Sequence, residues 1–300
     1  MVKGNGTGFA IGVGATGAGT IYFAKSIEIT NPVGEMYLQS ENGSINVSGN
    51  ILGKSGVYVE SVAGAISVAG VTVDQTQANI QIISDTGNIT TTGEISAKGS
   101  SSFIDIYNDH GGDITIGGDI SAGTNGNIYL SIGDSSNGVG NGNLNINGAL
   151  NTTGISSGRG ITILSGCAGV VNVNKAISTN GYIEFDINSQ AANTLNVAQN
   201  ATITGDTVSF SAQSSSNTIN LASGANVTAV AKVEDKGAGV LNLASNITVT
   251  NAINGIILDN LSINLTGASS LKVSGTSADI TLGTVNGAQN LTLEAPGVSG

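Results

Sequence analysis

The stretch Gly43-Ser44-Ile45-Asn46-Val47-Ser48-Gly49-Asn50-Ile51 returns, in chemical outline, as Gly142-Asn143-Leu144-Asn145-Ile146-Asn147-Gly148-Ala149-Leu150. Each copy is an apolar–polar–apolar triplet, a turn with Gly, and a second apolar residue. The triplet recurs at Ile66-Ser67-Val68, Ile89-Thr90-Thr91, Ile114-Thr115-Ile116, Val171-Asn172-Val173, Leu195-Asn196-Val197, Ile219-Asn220-Leu221 and Leu241-Asn242-Leu243. Its mean spacing is about 24 residues, a period that marks a stacked repeat architecture. Weaker copies are read at Ile11-Gly12-Val13 and Ile27-Glu28-Ile29 on one side, and at Ile263-Asn264-Leu265 and Ile280-Thr281-Leu282 on the other.

Two further features keep a fixed offset from the triplet. One is the second apolar residue: Ile51, Val71, Ile95, Ile120, Leu150, Ile177, Ile203, Val227 and Ile247. It follows a corner holding Gly49, Gly70, Gly93, Gly118, Gly148, Asn200, Gly224 or Asn246, residue types that tolerate positive φ. The other is a third alternating segment, as in Val57-Tyr58-Val59, Ile80-Gln81-Ile82, Ile104-Asp105-Ile106, Ile128-Tyr129-Leu130, Ile161-Thr162-Ile163, Ile183-Glu184-Phe185 and Val208-Ser209-Phe210. Ile21-Tyr22-Phe23 and Met36-Tyr37-Leu38 are read as earlier members, Leu271-Lys272-Val273 and Leu291-Thr292-Leu293 as later ones.

Period-2 alternation rich in β-branched residues describes strands, and no window has helical spacing. A repeat this small cannot bury its apolar side alone, so successive repeats must stack. The expectation is an all-β, right-handed parallel β-helix of about 24 residues and three short strands per coil. It forms one continuous body over 1–300, of about 13 coils and ~60 Å at the usual strand spacing. The outward slot of the triplet becomes a column of Asn, Thr and Ser. Neutral polar residues suit such a column, because like charges stacked on adjoining strands repel.

Composition agrees. The 300 residues include 45 Gly but only 2 Pro, 1 Cys, 1 His and no Trp, and charged residues make up 10%. Hydrophobic residues at 39% argue against disorder, which combines low hydrophobicity with high charge. A net charge of −11 gives no cationic footprint for nucleic acid. With one His (His110), one Cys (Cys167) and one Arg (Arg159), histidine triads, multi-histidine metal sites and an internal disulfide are excluded by counting. No cofactor is expected. No apolar run reaches the length of a membrane-spanning helix. The end at Gly300, in mid-pattern, is read as a cut from a longer protein.

The units 43–51, 142–150 and 278–295 resemble repeats of filamentous-haemagglutinin-like bacterial exoproteins, the adhesins of two-partner secretion; autotransporter passengers use similar repeats. The resemblance covers nearly the whole chain. It implies a secreted or cell-surface location, an outer-membrane secretion partner, and adhesion to a host-cell or matrix glycan or protein receptor. The family's secretion domain carries Asn-Pro motifs, of which only Asn31-Pro32-Val33-Gly34 is similar, so no secretion domain is assigned.

Candidate sites follow from the outward slots. Tyr22, Tyr37 and Tyr58 are expected in one outward column on successive coils, with Tyr129 further along. Such rings present apolar faces with polar tips to a glycan or protein, or simply stack to support the sheet. Asp105, Asp109, Asp113 and Asp119, near His110, form an acidic cluster suited to Ca²⁺ or to an acid–base pair, or solvated in loops. The 30-residue interval from Ile114 to Leu144 places an insertion at 131–143, and 157–160 makes another long turn; Ser, Gly and Asn content reads as flexible before functional. Lys232, Glu234, Asp235 and Lys236 read as a solvated turn interrupting the repeat, and Cys167 as a small turn residue. Sequons such as Asn46-Val47-Ser48 arise from the strand pattern itself, and no Thr-x-Thr row is sustained enough for ice binding.

Three functions fit this reading. The first is a structural and adhesive stalk without catalysis. The second is a carbohydrate-active β-helix enzyme of the polysaccharide lyase type, which needs clustered carboxylates and a catalytic Arg or Lys. The third is a fibre assembled end to end through exposed strand edges.

Overall fold

The computed structural model describes residues 2–4, 8–133, 140–153, 159–187, 192–251, 254–275 and 278–296. These residues hold strands and no helix, and every pairing between strands is parallel. The chain winds as a β-solenoid of about 11 turns with a spacing of about 24 residues. Each turn contributes a strand to three faces.

Face one stacks the triplets. Ile45 registers with Ile66, and Ile66 with Ile89. The column continues through Ile114, Leu144, Val171, Leu195, Ile219, Leu241 and Ile263. Face two stacks the second apolar residues from Ile51 through Ile247 to Leu271. Face three stacks longer strands such as Gly56–Ser61, Asn79–Ser84, Phe103–Asn108 and Asn127–Ile132.

The ends differ from the sequence expectation. Ile11 belongs to face three, opposite Met36, and Ile27 to face two, opposite Ile51. Ile21-Tyr22-Phe23 belongs to face one, opposite Ile45 to Val47. Leu271 and Leu293 lie on face two, and Ile280 on face three. Thirteen coils therefore reduce to about 11, and the rod to roughly 50 Å. The cause is that all three faces share one alternating pattern; alternation identifies a strand but not its face, and where corner residues are weak the phase slips.

Inside, the apolar side chains form one continuous cluster from Ile21 to Ala278, almost all under 2% exposed. Removing each Ile, Leu or Val from water is worth about 1.5–3 kcal/mol before chain ordering is counted. Phe185 and Phe210 sit in this core on adjoining coils, stacked with centroids 5.4 Å apart. Outside, face one carries an amide ladder. Nδ2 of Asn172, Asn196, Asn220, Asn242 and Asn264 each donates to Oδ1 of the Asn one coil earlier, at 2.8, 3.0, 2.7, 2.7 and 3.2 Å.

Corners call for glycine for a reason other than the one expected. Of the eight corner residues singled out between faces one and two, Asn200 and Gly224 have positive φ; Gly49, Gly93, Gly118 and Gly148 are pinned by proximity instead. A Cβ on Gly118 would stand 2.2 Å from the Gly93 carbonyl oxygen, and one on Gly148 1.9 Å from that of Gly118. The same stacking runs along the corner after face three, through Gly43, Gly64, Gly87, Gly112, Gly142 and Gly169. Buried serines bind this corner. Ser61 Oγ accepts from Gly64 N at 2.9 Å and donates to Gly43 O at 3.1 Å; Ser84 Oγ accepts from Gly87 N at 2.9 Å and faces Gly64 O at 3.4 Å. Asn108 takes over the role one coil on, accepting from Gly111 N at 2.8 Å and donating to Gly87 O at 2.6 Å.

Candidate functional site

The outward slot of face three runs Gly12, Tyr37, Tyr58, Gln81, Asp105, Tyr129, Thr162, Glu184, Ser209, Glu234. Tyr37, Tyr58 and Tyr129 thus share a column, as expected. Tyr22 does not: it registers with Asn46 on face one and is 60% exposed. The misplacement follows from the phase slip at the first coils. Tyr37 and Tyr58 stack at 4.3 Å with planes 13° apart. Partial burial, with Tyr58 and Glu35 alongside, pushes the Tyr37 phenol up to about 12. Two stacked rings and one distant ring do not make the continuous aromatic column that three successive coils would give.

The acidic cluster divides. Asp113 and Asp119 are corner braces: Asp113 Oδ1 accepts from Asn143 N and Nδ2 at 2.8 and 3.0 Å, and Asp119 Oδ1 from Ala149 N at 2.8 Å. His110 Nδ1 pairs with Asp85 on the preceding coil. Asp105 and Asp109 remain together. Strand Phe103–Asn108 alternates, so Ile104 and Ile106 enter the core while Phe103, Asp105 and Tyr107 point outward. On the next coil Tyr129 and Ser131 lie beside Asp105 and Tyr107. With Asp109, Gly133 and Leu164 these side chains line an open pocket of about 230 Å³.

Asp105 is 9% exposed, and its Oδ1 is sealed from solvent without a hydrogen-bond partner. Burial, and then the charge of Asp109, raise its carboxyl to about 7. Burial also raises the Tyr107 phenol, with Asp109 and Asp105 adding to it. Gly133 has φ +75°, and a Cβ there would stand 2.5 Å from Cys167 Cβ, so the end of this wall admits only glycine. Among the described residues no three His, Cys, Asp or Glu side chains converge on a common cation position.

Tyr107 was absent from the sequence reading, which stopped at the triplet Ile104-Asp105-Ile106. The signal was present, because alternation continues through Tyr107 and Asn108. Lys232, Glu234, Asp235 and Lys236 are corrected: the first three end the strand Asn226–Asp235 rather than interrupting the repeat. Lys236 Nζ donates to Tyr182 Oη at 2.7 Å, and lies 3.6 Å from Glu234 and 3.9 Å from Glu184. Asp235 accepts from Asn260 and Leu261 amides at 3.1 and 3.0 Å, holding the next coil. Cys167 is the small turn residue expected, on the bend between strands Arg159–Ser165 and Gly169–Val173, and its thiol is buried and pushed up by that burial. Of the two long turns, residues 134–139 and 154–158 lie outside the described residues, including Ser157 and Gly158. Asn31 makes a local turn, its Oδ1 accepting from Val33 N at 3.0 Å.

No protein-family model, no curated protein and no solved structure matches this chain.

Proposed function

We propose that the chain is a structural and adhesive stalk segment of a large secreted or cell-surface bacterial protein of the filamentous-haemagglutinin-like kind, working through length and surface rather than catalysis. One observation carries this reading. The outward amide ladder from Asn145 to Asn264 is bonded at every coil, which gives a stiff, neutral, uninterrupted side wall. A wall of this kind suits display of a surface at a distance from a membrane. The receptor in this reading is a host-cell or matrix glycan or protein, and delivery uses an outer-membrane secretion partner. The test is capture of host cells by the immobilised purified chain. Capture above that of an unrelated solenoid of equal charge supports adhesion; equal capture removes it.

A carbohydrate-active enzyme is the second reading, and the pairing of Asp105 with Asp109 in one pocket favours it. Release of reducing or unsaturated ends from polysaccharides by the purified chain would replace the stalk reading. Fibre assembly through unpaired strand edges is the third. Concentration-dependent filaments in electron micrographs would support it.

A further inference from the structure

Each inter-coil side-chain bond described so far, apart from those of Lys236, joins neighbouring coils. Tyr182 opens the strand Tyr182–Ile187, whereas Glu234 and Lys236 belong to the coil two further on. Lys236 Nζ donates to Tyr182 Oη at 2.7 Å and lies 5.2 Å from the centre of its ring. Tyr182 Oη donates in turn to Glu234 Oε1 at 3.4 Å, and Glu184 stands 3.9 Å from Lys236 Nζ. These bonds pass over the strand Thr202–Ala212, which is interposed in register. Tyr182 pairs with Thr207 and Thr207 with Lys232, while Glu184 pairs with Ser209 and Ser209 with Glu234.

Side-chain size explains the crossing. Thr207 and Ser209 are short, so the long side chains of the two flanking coils close above them. Ser209 is fully buried and its Oγ has no hydrogen-bond partner, so it is roofed over rather than engaged. The crossing also falls where the repeat changes length. Asn196 and Asn220 of the ladder are 24 residues apart, and Asn220 and Asn242 are 22 apart. Coils of a solenoid touch only their neighbours, so opening spreads one coil at a time. A bond across two steps alters that, because neither flanking coil can leave without breaking it. We propose that Tyr182, Glu234 and Lys236 form a strap that couples three successive coils into one opening unit and arrests unravelling that reaches it from either side. In a stalk under tension this is a stop. That use rests on the stalk reading; the strap itself does not.

The test is amide hydrogen exchange of the purified chain, read on strands Tyr182–Ile187, Thr202–Ala212 and Asn226–Asp235. Tyr182→Phe keeps the ring and removes the hydroxyl. It should speed exchange in Asn226–Asp235, two coils away, by about three- to tenfold, a charged hydrogen bond discounted for the solvent that reaches Lys236. Lys236→Met should do the same in Tyr182–Ile187. The double variant should add little to Lys236→Met, because both changes remove one shared bond. Ser209→Ala, beneath the strap, should leave exchange unchanged. Lys54→Met breaks an ion pair with Asp74 on the neighbouring coil and should act only on its own and adjoining coils. Circular dichroism checks that each variant is folded. Unchanged exchange in Asn226–Asp235 of Tyr182→Phe, full additivity in the double variant, or an equal effect from Ser209→Ala each overturns the proposal. So does a Lys54→Met effect that reaches two coils away. Unchanged exchange removes the strap and leaves the stalk reading standing; failed cell capture does the reverse.

Discussion

Asn220 is the rung at which the amide ladder is best tested. Its Nδ2 donates to Asn196 Oδ1 at 2.7 Å, and its Oδ1 accepts from Asn242 Nδ2 at 2.7 Å. Asn220→Ala removes both bonds. A net 0.5–1.5 kcal/mol for each gives about 1–3 kcal/mol in all. Asn264→Ala removes the bond to Asn242, at 3.2 Å, and should cost about half as much. Asn220→Asp keeps the acceptor for Asn242 but sets a second oxygen against Asn196 Oδ1, so near neutral pH it should cost more than Ala. Below the carboxyl's titration it regains a donor, and the penalty relative to wild type should shrink. Urea unfolding followed by far-ultraviolet circular dichroism measures the series. With a slope of about 3 kcal/mol per molar, Asn220→Ala should move the midpoint down by roughly 0.3–1 M. Asn220→Asp as stable as Asn220→Ala at both pH 3 and pH 7 would refute the ladder as a source of stability, leaving it a by-product of register.

Asp105→Asn should change how stability depends on pH. The folded carboxyl sits near 7 against an ordinary 3.8, so the folded state holds the extra proton and wild-type stability falls as pH rises from about 4 to 7. The loss relative to Asp105→Asn is at most about 4 kcal/mol, reduced by the solvent that reaches the group; parallel stability–pH curves for the two proteins would contradict this. Gly87→Ala drives a Cβ to 2.2 Å from the Gly64 carbonyl oxygen, backbone that cannot rotate away, and should cost about 1–3 kcal/mol, lowering the urea midpoint by roughly 0.3–1 M. An unchanged midpoint would show that the corner can open. Phe210→Ala empties a core slot against Phe185 and should cost about 3–5 kcal/mol by the same melt.

The middle of the fold is legible in the sequence because two signals agree there. Between Ile45 and Leu241 the alternating triplet and a Gly or Asn corner both repeat, and all nine triplets fall in one column. At the ends only the alternation remains, and alternation alone puts Tyr22 on the wrong face. The part played by glycine is not legible in a single repeat, since Gly118 and Gly148 are needed by a neighbour about a coil away along the chain rather than by their own dihedrals. The pocket was half visible. Asp105 and Asp109 are close in sequence, but Tyr129, Ser131 and Leu164 join them only through the stacking of coils. That Asp113 and Asp119 leave the cluster follows from their positions beyond the strand end, where they brace corners.

The serine-bound corner also has a bearing on how the chain acquires its shape. Ser61 and Asn108 each complete their own turn while holding a glycine carbonyl of the coil before. At Ser61, Ser84 and Asn108 the held carbonyl belongs to the coil on the amino-terminal side, so each such bond ties a corner to its neighbour. Ordering can begin at any coil and should spread outward one nearest-neighbour interface at a time. A chain delivered progressively from one end, by synthesis or by transport, would find its next contact already in place.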